Sequence, residues 1–357
     1  MDIKTKTLAN GLNTLFVNSP GSSLSSIQIW FRAGSALEDS SNLGIAHFLE
    51  HMFFKGTDIR PGAKIAYDVE SMGGEINAFT SFDFTCYYIN TPNKSLKKSM
   101  EILLDMVSNP KFDYSEIPPE RNVVLEEYNR SQDSPSQFSF QKIQNNCFSE
   151  EYSHPILGNI DTIRNFSRKQ LIAFRKKHYN LSNALFLIAG DLKQQKDLEK
   201  VIEKYKIPNG SKTIFPKFYL KSKTHINLHK KNVAMATLNI TLESTKFISE
   251  NAPSEDLAVS TLGYGETSRL YTNLVLKSSL ANSSSSSTMF MANGGTHFVK
   301  VVFPLENLSK IITNLCSTLS EIYEEGFNDD EINRMRNQYI ASKVYEKESI
   351  ESFSFTK

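Results

Sequence analysis

The chain is predicted to be an α+β protein in two halves, and three observations predict it. Its 357 residues exceed what one core of ordinary size organises, so two domains are expected. Strand-like and helical runs are mixed along the chain with hairpin-type connections, which favours α+β over a doubly wound parallel sheet. The turn-rich stretch Ile207-Pro208-Asn209-Gly210-Ser211 is the best linker and divides residues 1–206 from residues 212–357.

The elements follow in order. Asn10-Gly11, between two short strand-like runs, is a hairpin turn signal. Ser26 to Phe31 alternates polar and apolar residues as a half-buried strand does. Gly34-Ser35 and Asp39 to Asn42 read as a loop. Gly44 to Phe54 has helical spacing. Lys64 to Met72 is a second helix, stopped by Gly73-Gly74. Two β-rich runs fill Glu75 to Asn90, and Lys97 to Val107 is amphipathic helix.

Pro118-Pro119 opens a helix through Arg130, with proline at the position a helix start tolerates. Further helices are expected over Phe138 to Phe148, Arg168 to His178 and Gln195 to Tyr205. The apolar run Ala184 to Ala189 is a buried strand. After the linker come a strand (Ala236 to Leu242), a helix around Ser254 to Leu262, a strand (Phe298 to Phe303) and helices to the end. Ser283 to Ser287, five serines, reads equally as a flexible loop or a polar strand.

Composition excludes some function classes. Lys plus Arg number 40 against 39 Asp plus Glu, a net charge of +1, which offers no field for nucleic acid or an anionic membrane. No apolar run approaches the ~20 residues of a membrane helix, and no signal core follows Met1, so a soluble, cytoplasmic protein is expected. Cys86, Cys147 and Cys316 form no Cys-x-x-Cys pair and read as three separate buried thiols.

The chemistry-bearing motif is His47-Phe48-Leu49-Glu50-His51. On a helix, residues four apart share a face, so His47 and His51 can present two imidazoles to one metal ion. Glu50 lies on the edge of that face, close enough to handle a metal-bound water. A catalytic zinc takes a third protein ligand and keeps a position open for that water, whose pKa falls towards ~7. Two histidines four apart are, taken alone, more often surface or core residues. The glutamate between them shifts the balance, since burying it unpaired is costly. His225 and His229 share the spacing without an acid, in strand-like sequence, and read as exposed histidines.

The match extends beyond five residues. Asn10-Gly11-Leu12, Gly34-Ser35 and the run from Gly44 to Thr57 resemble the pitrilysin/insulysin/mitochondrial processing peptidase family of inverzincin zinc peptidases. So do Gly73 to Ser81, Glu120 to Glu127, Pro155-Ile156-Leu157-Gly158 and Gly190-Asp191. The resemblance implies two related α/β-roll halves, each a mainly antiparallel sheet packed by helices, enclosing a peptide chamber. It implies Zn2+ held by His47, His51 and Glu127. Glu126 is the adjacent competitor, pointed about 100° away by helical geometry. Glu120, two turns before Glu127, matches the family's outer acid, which orients a ligating histidine through its free ring nitrogen. Asn77-Ala78-Phe79-Thr80 resembles the family's substrate-binding edge strand, to which an extended peptide adds by main-chain hydrogen bonds, and the resemblance gives Asn77, beside Ala78 and Phe79, a further contact with the substrate backbone near the cleaved bond.

The second half departs from the pattern. Gly265 to Leu270 resembles the family's Ser-Arg-Leu helix start. Six residues after Arg269, and seven further on, members that act alone carry an Arg and a Tyr that hold substrate and oxyanion. Here those positions are Val275 and Asn282. Arg269 and Tyr271 are nearby, in a register that assigns them structural roles. After Lys343 to Phe355, a further small subdomain is expected, so the second half is read as truncated. Two functions follow: a zinc endopeptidase with catalytic Glu50, in a homo- or heterodimer whose partner brings the Arg/Tyr pair, or a non-catalytic scaffold subunit.

Overall fold

A computed structural model describes residues 2–221 and 233–355. His225 and His229 lie outside the described residues. The chain divides into two compact units. The first comprises Met1–Ser134, His154–Phe215 and Tyr345–Lys357, and the second Pro135–Ser153 and Pro216–Val344. These units do not follow the boundaries at 206 and 212, because two segments cross over in opposite directions.

The first unit is a six-stranded sheet with helices on it. Its strands are β1 (Asp2–Thr7), β2 (Asn13–Asn18), β3 (Leu24–Phe31), β4 (Glu75–Thr80), β5 (Thr85–Pro92) and β6 (Ala184–Gly190). Their order is β1-β2-β6-β3-β5-β4, antiparallel except for the β2–β6 pair. The Asn10-Gly11 turn joins β1 to β2 as expected, with Gly11 at φ +86°, where a side chain would be strained. Among the described residues β4 stands at one edge, paired with β5 alone.

The inner face carries one continuous core. Ile27, Ile29 and Phe31 of β3 and Tyr87 and Ile89 of β5 meet α1 (Ile45–Phe53), α2 (Lys64–Glu70) and α3 (Leu96–Ser108). α4 (Ile117–Asp133) flanks α1 through Val124, and its length exceeds the predicted run by a turn. α5 (Pro135–Cys147) belongs to the second unit, whereas α6 (Ile160–Asn165), α7 (Arg168–His178) and α8 (Gln195–Ile202) return to the first. α6 went unread because one buried residue, Ile163, gives no helical periodicity.

Among the described residues the second unit holds a three-stranded antiparallel sheet, β7 (Ala236–Ser244), β8 (Ser283–Met291) and β9 (Gly294–Phe303), with β9 central. Its helices are α9 (Ala252–Gly263), the short α10 (Arg269–Tyr271) leading into a π-helical stretch over Thr272–Lys277, α11 (Leu308–Glu325) and α12 (Asp329–Glu348). α5 joins this unit because Phe140 and Phe148 pack on Phe298 of β9, at ring separations of 5.9 and 6.4 Å. In the other direction, Ile350 and Phe353 of α13 (Ile350–Phe355) cover Leu15, Val17, Leu187 and Ala189 on the outer face of the first sheet.

The serine run resolves as strand. Ser284 and Ser286 point inward and are buried, while Ser283, Ser285 and Ser287 are exposed. A Cβ on Gly263 of α9 would lie 2.5 Å from Ser286 Oγ, so small residues are needed on both elements for the helix to approach. Among the three cysteines, which are free, Cys86 is buried, Cys147 half-buried and Cys316 exposed, so the expectation of buried thiols holds for the first alone. Among the described residues no helix is long and apolar enough to cross a membrane.

Candidate metal centre

The site is built where α1 meets α4. Six of the nine residues of α1 (Ile45, Ala46, Phe48, Leu49, Met52 and Phe53) are apolar and buried in the core. That packing fixes the helix and leaves His47 and His51 on one face, their rings 4.7 Å apart. On α4, Glu120 and Glu127 are two turns apart and face α1, while Glu126 is exposed on the other side.

Glu127 Oε2 lies 3.7 Å from His47 Nε2 and 3.5 Å from His51 Nε2. One ligand atom from each of His47, His51 and Glu127 falls within 4.8 Å of the others. A tetrahedral zinc about 2.0–2.2 Å from nitrogen and oxygen ligands spaces them about 3.4 Å apart, which these separations fit. The other ring nitrogen of His51, Nδ1, lies 2.7 Å from Glu120 Oε1, a carboxylate that would keep the Nδ1 proton and leave Nε2 as ligand atom once a metal displaced the proton that Nε2 shares with Glu127. The donor set therefore suits zinc: two imidazoles, one carboxylate and an outer carboxylate that fixes a tautomer.

The electrostatics favour a cation at this point. Burial opposes charge on His51, but hydrogen bonds with Glu120 and Glu127 overcome it and lift the imidazole to about 9. Burial, aided by the charge of His51, takes His47 down to about 4. Burial holds Glu120 up, yet its bonds to His51 and Lys55 prevail and lower it. Glu127 is lowered by its bond to His51, against some burial. Burial raises Glu50, whose Oε2 accepts the Thr80 hydroxyl.

The structure brings His47, Glu50, His51, Glu120 and Glu127 together. It adds roles for two residues to which the sequence assigned none. Lys55 pairs with Glu120, and lies four residues after His51, a spacing that could have found it. Thr80 holds Glu50 and is the residue after Phe79, on the strand face that Phe79 does not share. Alternation along β4 places Ala78 and Thr80 towards α1, with Asn77 and Phe79 on the far face. There Phe79 packs on Trp30, Phe84 and Phe355. Asn77 accepts the Ala78 N–H through Oδ1 at 2.8 Å, so its side chain serves its own strand.

In the second unit, Val275 packs against the core and Asn282 is an exposed residue just before β8. Arg269 donates to both oxygens of Glu331, at 2.6 and 2.8 Å, and to the Gly326 carbonyl. Its guanidinium is thus occupied within the fold.

Comparison with known proteins agrees with this picture. Residues 13–159 match Insulinase (Peptidase family M16), and residues 165–339 match Peptidase M16 inactive domain. An uncharacterized zinc protease of Rickettsia bellii is 31% identical over 349 residues, covering 96% of this chain and 83% of that protein. The mitochondrial-processing peptidase subunit beta of Dictyostelium discoideum is 32% identical over 206 residues, covering 57% of this chain and 44% of that protein. The crystal structure of a protease from Helicobacter pylori superposes with a TM-score of 0.87 at 26% identity, over 99% of this chain and 87% of that one. Fold and sequence together define the class of zinc-protease-like proteins. The chain belongs to the peptidase M16 (insulinase) family.

Proposed function

We propose that the protein is a zinc-dependent endopeptidase that hydrolyses extended peptides, with His47, His51 and Glu127 as ligands, Glu120 orienting His51, and Glu50 as the catalytic base. The observation that carries the reading is the convergence of three ligand atoms within 4.8 Å beside a buried glutamate. When bound, zinc supplies a Lewis acid that makes water acidic and polarises the scissile carbonyl. Glu50, with one oxygen tied to Thr80, keeps the other free to take the proton of the attacking water and return it to the leaving amine. Its burial raises proton affinity, which suits a base that must also release the proton as an acid.

The free edge of β4 binds the peptide as an added strand, reading main chain rather than sequence. Residues 77–79 take part through their backbone, since the side chains of Asn77 and Phe79 project to the far face. A partner chain completes the site with the Arg/Tyr pair, because Val275 and Asn282 provide neither group and Arg269 is bound to Glu331. The subunit status of the Dictyostelium relative supports a divided site. The same two positions favour a second reading, a non-catalytic scaffold subunit.

Glu50→Gln distinguishes them. For the peptidase, zinc content stays at one per chain while hydrolysis of an unstructured peptide, by the protein with its co-purifying partner, falls at least ~100-fold. Undiminished turnover would remove Glu50 from the mechanism. Zinc binding without hydrolysis in the parent protein, alone or partnered, selects the scaffold.

A further inference from the structure

α1 begins in an unusual way. Helices ordinarily start on Ser, Thr, Asp or Asn, whose side chain accepts one of the free N–H groups of the first turn. Here the residue before the helix is Gly44, at φ +91°, with no side chain to offer. A larger residue is barred, because a Cβ at Gly44 would lie 2.5 Å from the Leu157 carbonyl oxygen. The reverse approach is equally tight: a Cβ on Gly158 would stand 2.2 Å from the Leu43 carbonyl oxygen. The start of the helix is therefore pressed against residues 157–158 backbone to backbone.

The cap comes from elsewhere in the chain. Glu38 accepts the Gly44 N–H at 2.7 Å with one oxygen and the Ala46 N–H at 2.9 Å with the other. Its side chain is fully buried, at 0% exposure, so the carboxylate acts at the positive end of the helix without water between. His154 Nε2 stands 3.2 Å from the same carboxylate and 3.0 Å from the Ser35 carbonyl oxygen. Thr162 Oγ1 donates to the Leu43 carbonyl at 2.6 Å. Two ties, from Glu38 and Thr162, thus converge on the turn before His47, and His154 holds the first of them from behind.

We infer that Glu38, steadied by His154, is a positioning residue for the metal centre: by capping α1 from outside the helix it sets the depth and rotation at which His47 and His51 present their imidazoles. The inference rests on the zinc reading of those histidines. Glu38 acts through the helix start, and His154 acts through Glu38. Outer partners that orient ligands are worth about 10- to 100-fold in metal affinity, and that range sets the expectation.

The experiment is zinc competition against a chromophoric chelator on the full chain, with the absorption of the Co2+-loaded protein as a probe of ligand geometry. Glu38→Gln keeps the size of the side chain but places an amide NH2 where an acceptor is needed. It is expected to remain folded by circular dichroism, bind zinc about 10- to 100-fold more weakly and shift the Co2+ band. His154→Gln should do the same more mildly, and serves alone should Glu38→Gln not fold. A folded variant with parental zinc affinity and an unchanged Co2+ band overturns the inference. If the parent chain itself binds no zinc, the metal reading has failed instead, and the two failures are told apart by that first titration.

Discussion

The two units treat their charged residues in opposite ways. In the first, His47, Glu50 and His51 of one helix and Glu120 and Glu127 of another converge, and each pulls on its neighbours' protonation. In the second, Arg269 and Glu331 close on each other, and Arg269 also donates to the Gly326 carbonyl, so that its guanidinium is taken up by the fold. A pair that satisfies itself stabilises a fold. A cluster with more acids and imidazoles than mutual partners invites a cation. The difference teaches where function is to be sought, and it can be broken from either side.

The largest expected effect is on the first unit. Glu127→Gln removes a ligand and should lower zinc affinity by more than the ~10- to 100-fold that an outer partner is worth, whereas Glu126→Gln should leave it unchanged. Zinc titration of both variants checks this, and the reverse ranking would move the third ligand to Glu126. Glu120→Gln falls between them. It frees the His51 ring and should weaken zinc about 10- to 100-fold with little change in thermal stability. Parental affinity would show that Lys55 and the packing of α1 hold His51 without it.

Part of this site was legible from periodicity and part from resemblance. His47 and His51 share a helical face at four residues, which helix geometry supplies. Glu127 and Glu120 came from the resemblance, since two acids seven apart on a helix read, on their own, as a solvated face. The strand Asn77 to Thr80 was placed at a sheet edge, as found, but its alternation turns Asn77 and Phe79 away from α1. Glu38 was not legible at all. A cap reaching Gly44 from six residues upstream, outside the helix, leaves no local pattern of the kind Ser-x-x-Glu provides. Nor was the exchange of segments between units visible, since it depends on Phe140 and Phe148 finding Phe298, and on Phe353 finding the first sheet. Such pairings are long-range, and composition is silent on them.

The second unit should respond to the loss of its ion pair in stability rather than in metal binding. Arg269→Met strands a mostly buried carboxylate and is expected to cost about 3 kcal/mol in chemical denaturation, the lower end for a broken buried pair because both side chains keep some exposure, with zinc affinity unaltered. The pH dependence has a definite sign. The bond to Arg269 lowers Glu331, against the opposing effect of burial. A carboxyl lowered in the folded state contributes stability that is complete above its unfolded value of about 4.3 and is lost as pH falls through the still lower folded value. Glu331→Gln should therefore flatten the acid limb of a stability-against-pH curve. An acid limb identical to the parent's would show that the pair does not couple to folding.

The smallest effect is the sharpest test of how the serine strand is built. Ser284 and Ser286 are both buried on the inner face of β8, yet their hydroxyls differ. Ser286 donates to the Val259 carbonyl of α9, while Ser284 Oγ has no hydrogen-bond partner among the described residues. Replacing each by alanine keeps the close approach of the helix and removes only the hydroxyl. Ser286→Ala should cost about 1 kcal/mol, the net worth of one hydrogen bond, and Ser284→Ala should be neutral or stabilising by a similar amount, since an unpaired buried hydroxyl is itself a penalty. Opposite signs in two matched melts would establish that the run is a strand packed by size, with one hydroxyl bonded and one merely small. Equal losses would mean that both hydroxyls are bonded, and that β8 meets α9 in a different register.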